Sequence, residues 1–146
     1  MFNSANSPDN IRVTDLKQIY NDKGSVGHLL KSTDDGFSGF GEAYLSRMNY
    51  NAVKAWKRRQ KMSMNLIVLD GTVRFVFYSS EKNCCKTYTI SEQDFKRITV
   101  PPMIWFGFQG ISSTTSTILN LANIAHDPLE VDTAPIYTYK FNRKMQ

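Results

Sequence analysis

Six basic residues, Arg47, Lys54, Lys57, Arg58, Arg59 and Lys61, fall between Ala43 and Leu69 with no acidic residue among them. The chain of 146 residues carries 18 Lys and Arg against 13 Asp and Glu. Twelve basic and thirteen acidic residues therefore remain elsewhere, and the formal charge of +5 belongs to this one segment. Guanidinium groups pair with phosphate oxygens through two bonds at once, and lysine adds a compact point charge, so the stretch has the chemistry of a local anion site. The alternative is a solvated basic face. No nucleic-acid partner is expected, because such binders spread Lys and Arg along a face and add exposed stacking aromatics.

Two residues in or beside this stretch could move a proton. Lys57 directly precedes Arg58 and Arg59, like charges of the kind that make a lysine amine reactive. Glu42, a few residues upstream, is either a base or an ion-pair partner of Lys54 or Lys57. His28 and His126 are the only histidines and are expected on the surface or in loops.

The elements that must position these groups read as strands. Leu66 to Tyr78 is LIVL-DG-TVRFVFY, two apolar runs around Asp70-Gly71, a dipeptide that favours a tight hairpin. In the second run Val73, Phe75 and Phe77 alternate with Thr72, Arg74, Val76 and Tyr78, giving one apolar and one mixed face. Further strands are expected at Gly39 to Met48, Ala52 to Trp56, Lys86 to Ile90, Ile98 to Val100, Met103 to Phe108 and Thr114 to Asn123, with a polar turn near Glu81 to Asn83. Pro101-Pro102 must end the strand before it, since proline cannot donate to a central ladder. A helical turn is expected only at Thr14 to Tyr20. Short strands with frequent turns predict an all-β, antiparallel sandwich or barrel.

At 41% hydrophobic and 21% charged, the composition fits one domain over residues 1–146, with a core of about 11–140 and frayed ends at 1–10 and 142–146. Such a length buries enough surface to fold without staples. Adjacent Cys84 and Cys85 are poorly placed to bridge each other and read as reduced thiols. No run approaches a membrane span and the first ten residues lack an apolar signal core, so a cytoplasmic protein without membrane attachment is expected.

The order of these pieces resembles the RmlC-like branch of the cupins (double-stranded β-helix, jelly-roll barrels), which contains dTDP-4-dehydrorhamnose 3,5-epimerase and the dTDP-sugar 3,4-ketoisomerases. The resemblance is carried by Ser46-Arg47, by VKAWKRRQKM, by NLIVLDGTVRFVFY, by Ile98 to Phe108, which looks like the family's IPPGVWHGF, and by Asn120 to Pro128 with acidic residues after it. It spans Gly39 to Asp132.

It implies a barrel holding a nucleotide-linked 4-keto-6-deoxy sugar, where a histidine removes the proton beside the keto group. In this chain the family's histidines fall at Lys57, Arg59 and Phe106, and its acidic tyrosine falls at Asn120. With histidines missing from the motif positions, neither a metal nor any other cofactor is implied. The catalytic candidates are Lys57 and Glu42, and the substrate-binding candidates are Arg47, Lys54, Arg59, Asn65, Trp105, Phe106 and Asn120. The resemblance further implies a homodimer packed through N-terminal strands. Two functions follow: an isomerase acting on a dTDP-linked 4-keto-6-deoxy sugar for cell-surface polysaccharide (lipopolysaccharide O-antigen), or an inactive cupin that binds a sugar nucleotide or a partner enzyme.

Overall fold

A computed structural model describes residues 7–79 and 84–141. Their strands are β1 (Arg12–Asp15), β2 (Lys17–Asn21), β3 (Gly24–His28), β4 (Glu42–Met48), β5 (Val53–Arg59), β6 (Met64–Asp70), β7 (Thr72–Ser79), β8 (Cys84–Ser91), β9 (Lys96–Val100), β10 (Trp105–Gly110), β11 (Ser116–Ala122) and β12 (Val131–Thr133). One antiparallel sheet has the order β1-β9-β6-β11-β4 and faces a second of order β12-β5-β10-β7-β8, while β2 and β3 form a separate hairpin. The fold is the all-β jelly roll expected from the sequence.

The alternation in β7 sorts its residues as its pattern predicts: Val73, Phe75 and Phe77 point between the sheets and Val76 points outward. From the facing sheet Leu66, Val68, Ile98 and Ile118 complete the inner core. A smaller cluster of Trp56, Val76 and Trp105 lies on the outer face of the second sheet, covered by Ala134, Tyr139 and Phe141. The Trp56 indole N–H donates to the Ile136 carbonyl at 3.1 Å, which fixes this cover.

Three expectations are corrected. Asp70-Gly71 turns the chain, with Gly71 at φ +80°, but it does not close a hairpin. Strands β6 and β7 belong to different sheets, and the turn carries the chain from one to the other. Residues 14–20 are extended in β1 and β2 instead of forming a helical turn. The N-terminal segment is ordered earlier than expected, since Ser7 and Pro8 are buried and Pro8–Asn10 forms a 3-10 turn capped by the Ser7 hydroxyl. The predicted turn at Glu81 to Asn83 and both expected frayed ends, residues 1–6 and 142–146, lie outside the described residues.

The site depends most on the pairing of β5 with β10. Phe106 is opposite Lys57 but Gly107 is opposite Ala55, so Trp56 is an extra residue on the β5 side. This bulge resets the side-chain alternation. Lys54, at an even position, thereby joins Lys57 and Arg59 on the inner face.

Candidate functional site

Between the sheets lies a cavity of about 370 Å³. Strand β4 contributes Glu42, Tyr44 and Ser46, its inward alternate residues, and β5 contributes Lys54, Lys57 and Arg59. Apolar surface comes from Met64, Leu66, Phe106, Phe108 and Ile118. Asn120 of β11 and His126 from the loop after it complete the wall. A cationic side therefore faces a carboxylate across an apolar floor.

Arg59 organises the inner part of this site. Its Nη1 donates to Glu130 Oε1 at 2.9 Å, and its Nη2 donates to the Tyr44 hydroxyl at 3.2 Å and to His126 Nδ1 at 3.1 Å. Both partners of the ion pair are nearly dry, with side-chain exposures of 8% and 3%. The second Glu130 oxygen accepts the amide N–H groups of Lys61 at 2.8 Å and Met62 at 3.3 Å. Burial alone would raise the Glu130 carboxyl, but the Lys61 amide, the Arg59 guanidinium and the Met62 amide together hold it below the usual carboxylate range.

The remaining polar groups divide into bound and available ones. Asn120 donates to the Tyr44 hydroxyl at 2.9 Å, so a tyrosine oxygen lies beside the position to which the resemblance assigned the acid. Glu42 Oε1 accepts the backbone N–H of His126 at 2.8 Å. Lys54 donates to the Arg47 carbonyl at 3.0 Å and stands at the exposed rim. Among the described residues the Lys57 backbone is paired with β10 and β12, but no hydrogen bond or ion pair engages its side chain. Its ammonium is free for an anion.

Six of the nine candidates from the sequence thus meet at one cavity: Glu42, Lys54, Lys57, Arg59, Phe106 and Asn120. The other three do not. Arg47 is exposed on the opposite side of β4, because the inward parity belongs to Glu42, Tyr44, Ser46 and the core residue Met48. Asn65 faces away from the barrel, donating to the Gly36 carbonyl at 3.0 Å and accepting from Thr99 at 2.6 Å under the loop before β4. Trp105 belongs to the outer cluster, with the Arg58 guanidinium 4.8 Å above its ring. Arg58 itself is drawn outward by Asp132 at 2.7 Å.

His126 and Glu130 were not among the candidates. The resemblance spans this stretch, Asn120 to Pro128 with acidic residues after it, but the two residues follow β11 outside any strand, where no periodicity reports orientation. Tyr44 was not among the candidates either, and its hydroxyl is a polar member of the wall. Among the described residues no three His, Cys, Asp or Glu side chains gather as a metal centre. A second cavity of about 480 Å³ lies between β1, the stem of the β2–β3 hairpin and the following loop. Its cations are largely occupied internally, Arg12 by Asp35 at 3.3 Å and Arg97 by Asp34 at 3.2 Å.

No family model matches the sequence, and no curated protein matches it. Solved structures do. A dTDP sugar isomerase from Desulfovibrio desulfuricans G20 is 28% identical, with a TM-score of 0.84 over 93% of this chain and 92% of that one. QdtA, a sugar 3,4-ketoisomerase from Thermoanaerobacterium thermosaccharolyticum solved with TDP, is 16% identical with a TM-score of 0.75, covering 86% of this chain and 89% of that one. A dTDP-4-dehydrorhamnose 3,5-epimerase from Elizabethkingia anophelis NUHP1 is 13% identical with a TM-score of 0.74, covering 89% of this chain and 78% of that one. The last two likenesses are of fold, and the first extends to sequence over nearly the whole of both chains. The two-sheet barrel and these likenesses together make the chain an RmlC-like cupin by fold.

Proposed function

We propose that the barrel binds a dTDP-linked 4-keto-6-deoxy sugar and isomerises it by moving a proton beside the keto carbon, as an epimerase or a 3,4-ketoisomerase. The observation that carries this reading is the grouping of Lys54, Lys57 and Arg59 opposite Glu42 in one apolar-floored cavity. Lysines at the rim suit the diphosphate, and the phenyl rings of Phe106 and Phe108 offer faces to a base or sugar. The nucleotide follows from the likeness to the Desulfovibrio isomerase.

Proton abstraction needs a group within reach of the C–H bond and able to exchange its proton. Glu42 and Lys57 are the two candidates. Glu42 has one oxygen tied to the His126 amide, which fixes the carboxylate and leaves its second oxygen for the substrate. Arg59 is committed to Glu130 and serves as a fixed positive charge.

That commitment also favours a second reading. The strand positions where the family carries histidines hold a free lysine and an ion-paired arginine, so a cupin that only binds a sugar nucleotide, or an enzyme of the same pathway, is the alternative. A place in cell-surface polysaccharide synthesis and a cytoplasmic location belong with the isomerase reading. None of the described helices is long and apolar enough to cross a membrane. A homodimer is supported by the β2–β3 hairpin, which exposes Ile19, Tyr20 and Val26.

Two measurements test the proposal. Thermal-shift titration with dTDP should raise the melting temperature, by about 2.7 kcal/mol of stabilisation at a hundredfold excess over Kd, and Lys57→Ala should weaken the effect. Incubation of dTDP-4-keto-6-deoxyglucose in D2O should then place deuterium beside the keto carbon, and Glu42→Gln and Lys57→Met should identify the base. Binding without deuterium uptake would leave the non-catalytic reading. No response to dTDP or to any other nucleoside diphosphate would overturn both nucleotide-binding readings and leave only a protein partner.

A further inference from the structure

His126 has a defined hydrogen-bonding state in this site. Its Nδ1 lies 3.1 Å from Arg59 Nη2. A guanidinium can only donate, so Nδ1 is the acceptor and the ring proton sits on Nε2. The ring is solvent-exposed and lines the cavity, and its own backbone N–H holds Glu42. A hydrogen-bond donor and a carboxylate are thus fixed on the same residue pair, at the same edge of the cavity.

The loop that carries the ring is anchored on both sides. Asn123 accepts the Ser63 N–H at 2.8 Å, and Asp127 caps the next turn by accepting from Leu129 at 3.0 Å. Gly41 packs so closely that an added Cβ would overlap the backbone of Ile124 and Ala125. Exposure of the imidazole therefore does not mean freedom of the segment.

We propose that His126 is the electrophilic residue of the isomerisation, donating its Nε2–H to the keto oxygen of the sugar while Glu42 or Lys57 removes the adjacent proton. This deepens the isomerase reading and rests on it. The C–H bond breaks, its electron pair forms the C=C bond, and the carbonyl electrons collect on oxygen as an enolate. The abstracted proton resides on the base until it returns to carbon. A donor already aimed at that oxygen stabilises the charge where it develops, without needing to reorganise. Arg59 acts through His126 as a positioning residue, setting which ring nitrogen carries the proton.

The test uses His126→Asn, whose side-chain oxygen can replace Nδ1 as the acceptor for Arg59 but offers nothing at the Nε2 position. Thermal melting checks that the variant folds. It should keep the dTDP-induced shift and lose deuterium exchange into the keto sugar by about 100- to 1000-fold, the usual effect of deleting one such donor. His126→Gln, whose amide reaches the Nε2 position, should recover part of that loss. Long-range 1H–15N correlation spectra of the wild type, with only two histidines to assign, should show His126 protonated at Nε2. Exchange by His126→Asn within about threefold of wild type, or a proton found on Nδ1, overturns the proposal. A wild type that binds dTDP but exchanges nothing overturns the isomerase reading instead, and the donor role falls with it.

Discussion

Replacing Glu130 with alanine should be among the most damaging changes available in this chain. The carboxylate is 3% exposed and pairs at 2.9 Å with a guanidinium that is 8% exposed, so its removal strands a buried cation. Removing one partner of such a pair costs about 3–5 kcal/mol. The Lys61 and Met62 amides lose their acceptor as well, which places the loss at the upper end of that range. For a domain of this length about 3–4 °C of melting temperature accompanies each kcal/mol, so a fall of about 10–20 °C is expected. Urea unfolding of wild type, Glu130→Ala and Glu130→Gln is the assay. The pH dependence has a definite sign, because the folded-state pKa lies below the ordinary value of 4.5. The stabilisation is fully present above that value and is lost as pH falls through the lower, folded pKa. Wild type and Glu130→Gln should therefore differ near neutral pH and converge in acid. A loss under about 1 kcal/mol for Glu130→Ala, or a wild type–Gln difference unchanged down to about pH 3, would refute the buried-pair argument.

Two further substitutions test the corrected placements. Trp105→Ala should cost about 3–5 kcal/mol in urea unfolding, as for a buried large aromatic, yet leave the dTDP thermal shift intact because the ring lies on the outer face. Loss of the shift in a folded Trp105→Ala protein would contradict that placement. Gly71→Ala puts a side chain at φ +80° and against Ser116, and should destabilise by at least about 1–2 kcal/mol without changing ligand response. A neutral Gly71→Ala would mean that the turn between the sheets relaxes freely.

The family and the strand content were legible because β7 alternates cleanly and the motif pieces follow one another in order. Orientation was harder to read. In Trp105 to Gly110 every residue is buried, since both faces of β10 are covered, and a pattern with no polar side cannot say that Phe106 points in while Trp105 points out. The Asp70-Gly71 pair specified a turn correctly, but a crossing between sheets needs the same positive φ as a hairpin. Lys54 joined Lys57 only through the bulge at Trp56, and a bulge is a property of the β5–β10 ladder as a whole. His126 was out of reach for a different reason: it lies in a loop, and its partner Arg59 is 67 residues away.

Arg59 has a consequence for how this site could change over evolutionary time. One side chain neutralises Glu130, holds Tyr44 and orients His126. A histidine at position 59, the residue that the family resemblance places there, would be too short to serve all three and would leave the Glu130 carboxylate without its cation. Positions 59 and 130 are therefore epistatically coupled. A lineage moving between the histidine and arginine forms would be expected to change both together, or to alter 130 first while the arginine still has other partners. Among relatives of this chain, covariation of 59 with 130 and 126 would mark which members share its arrangement of the site.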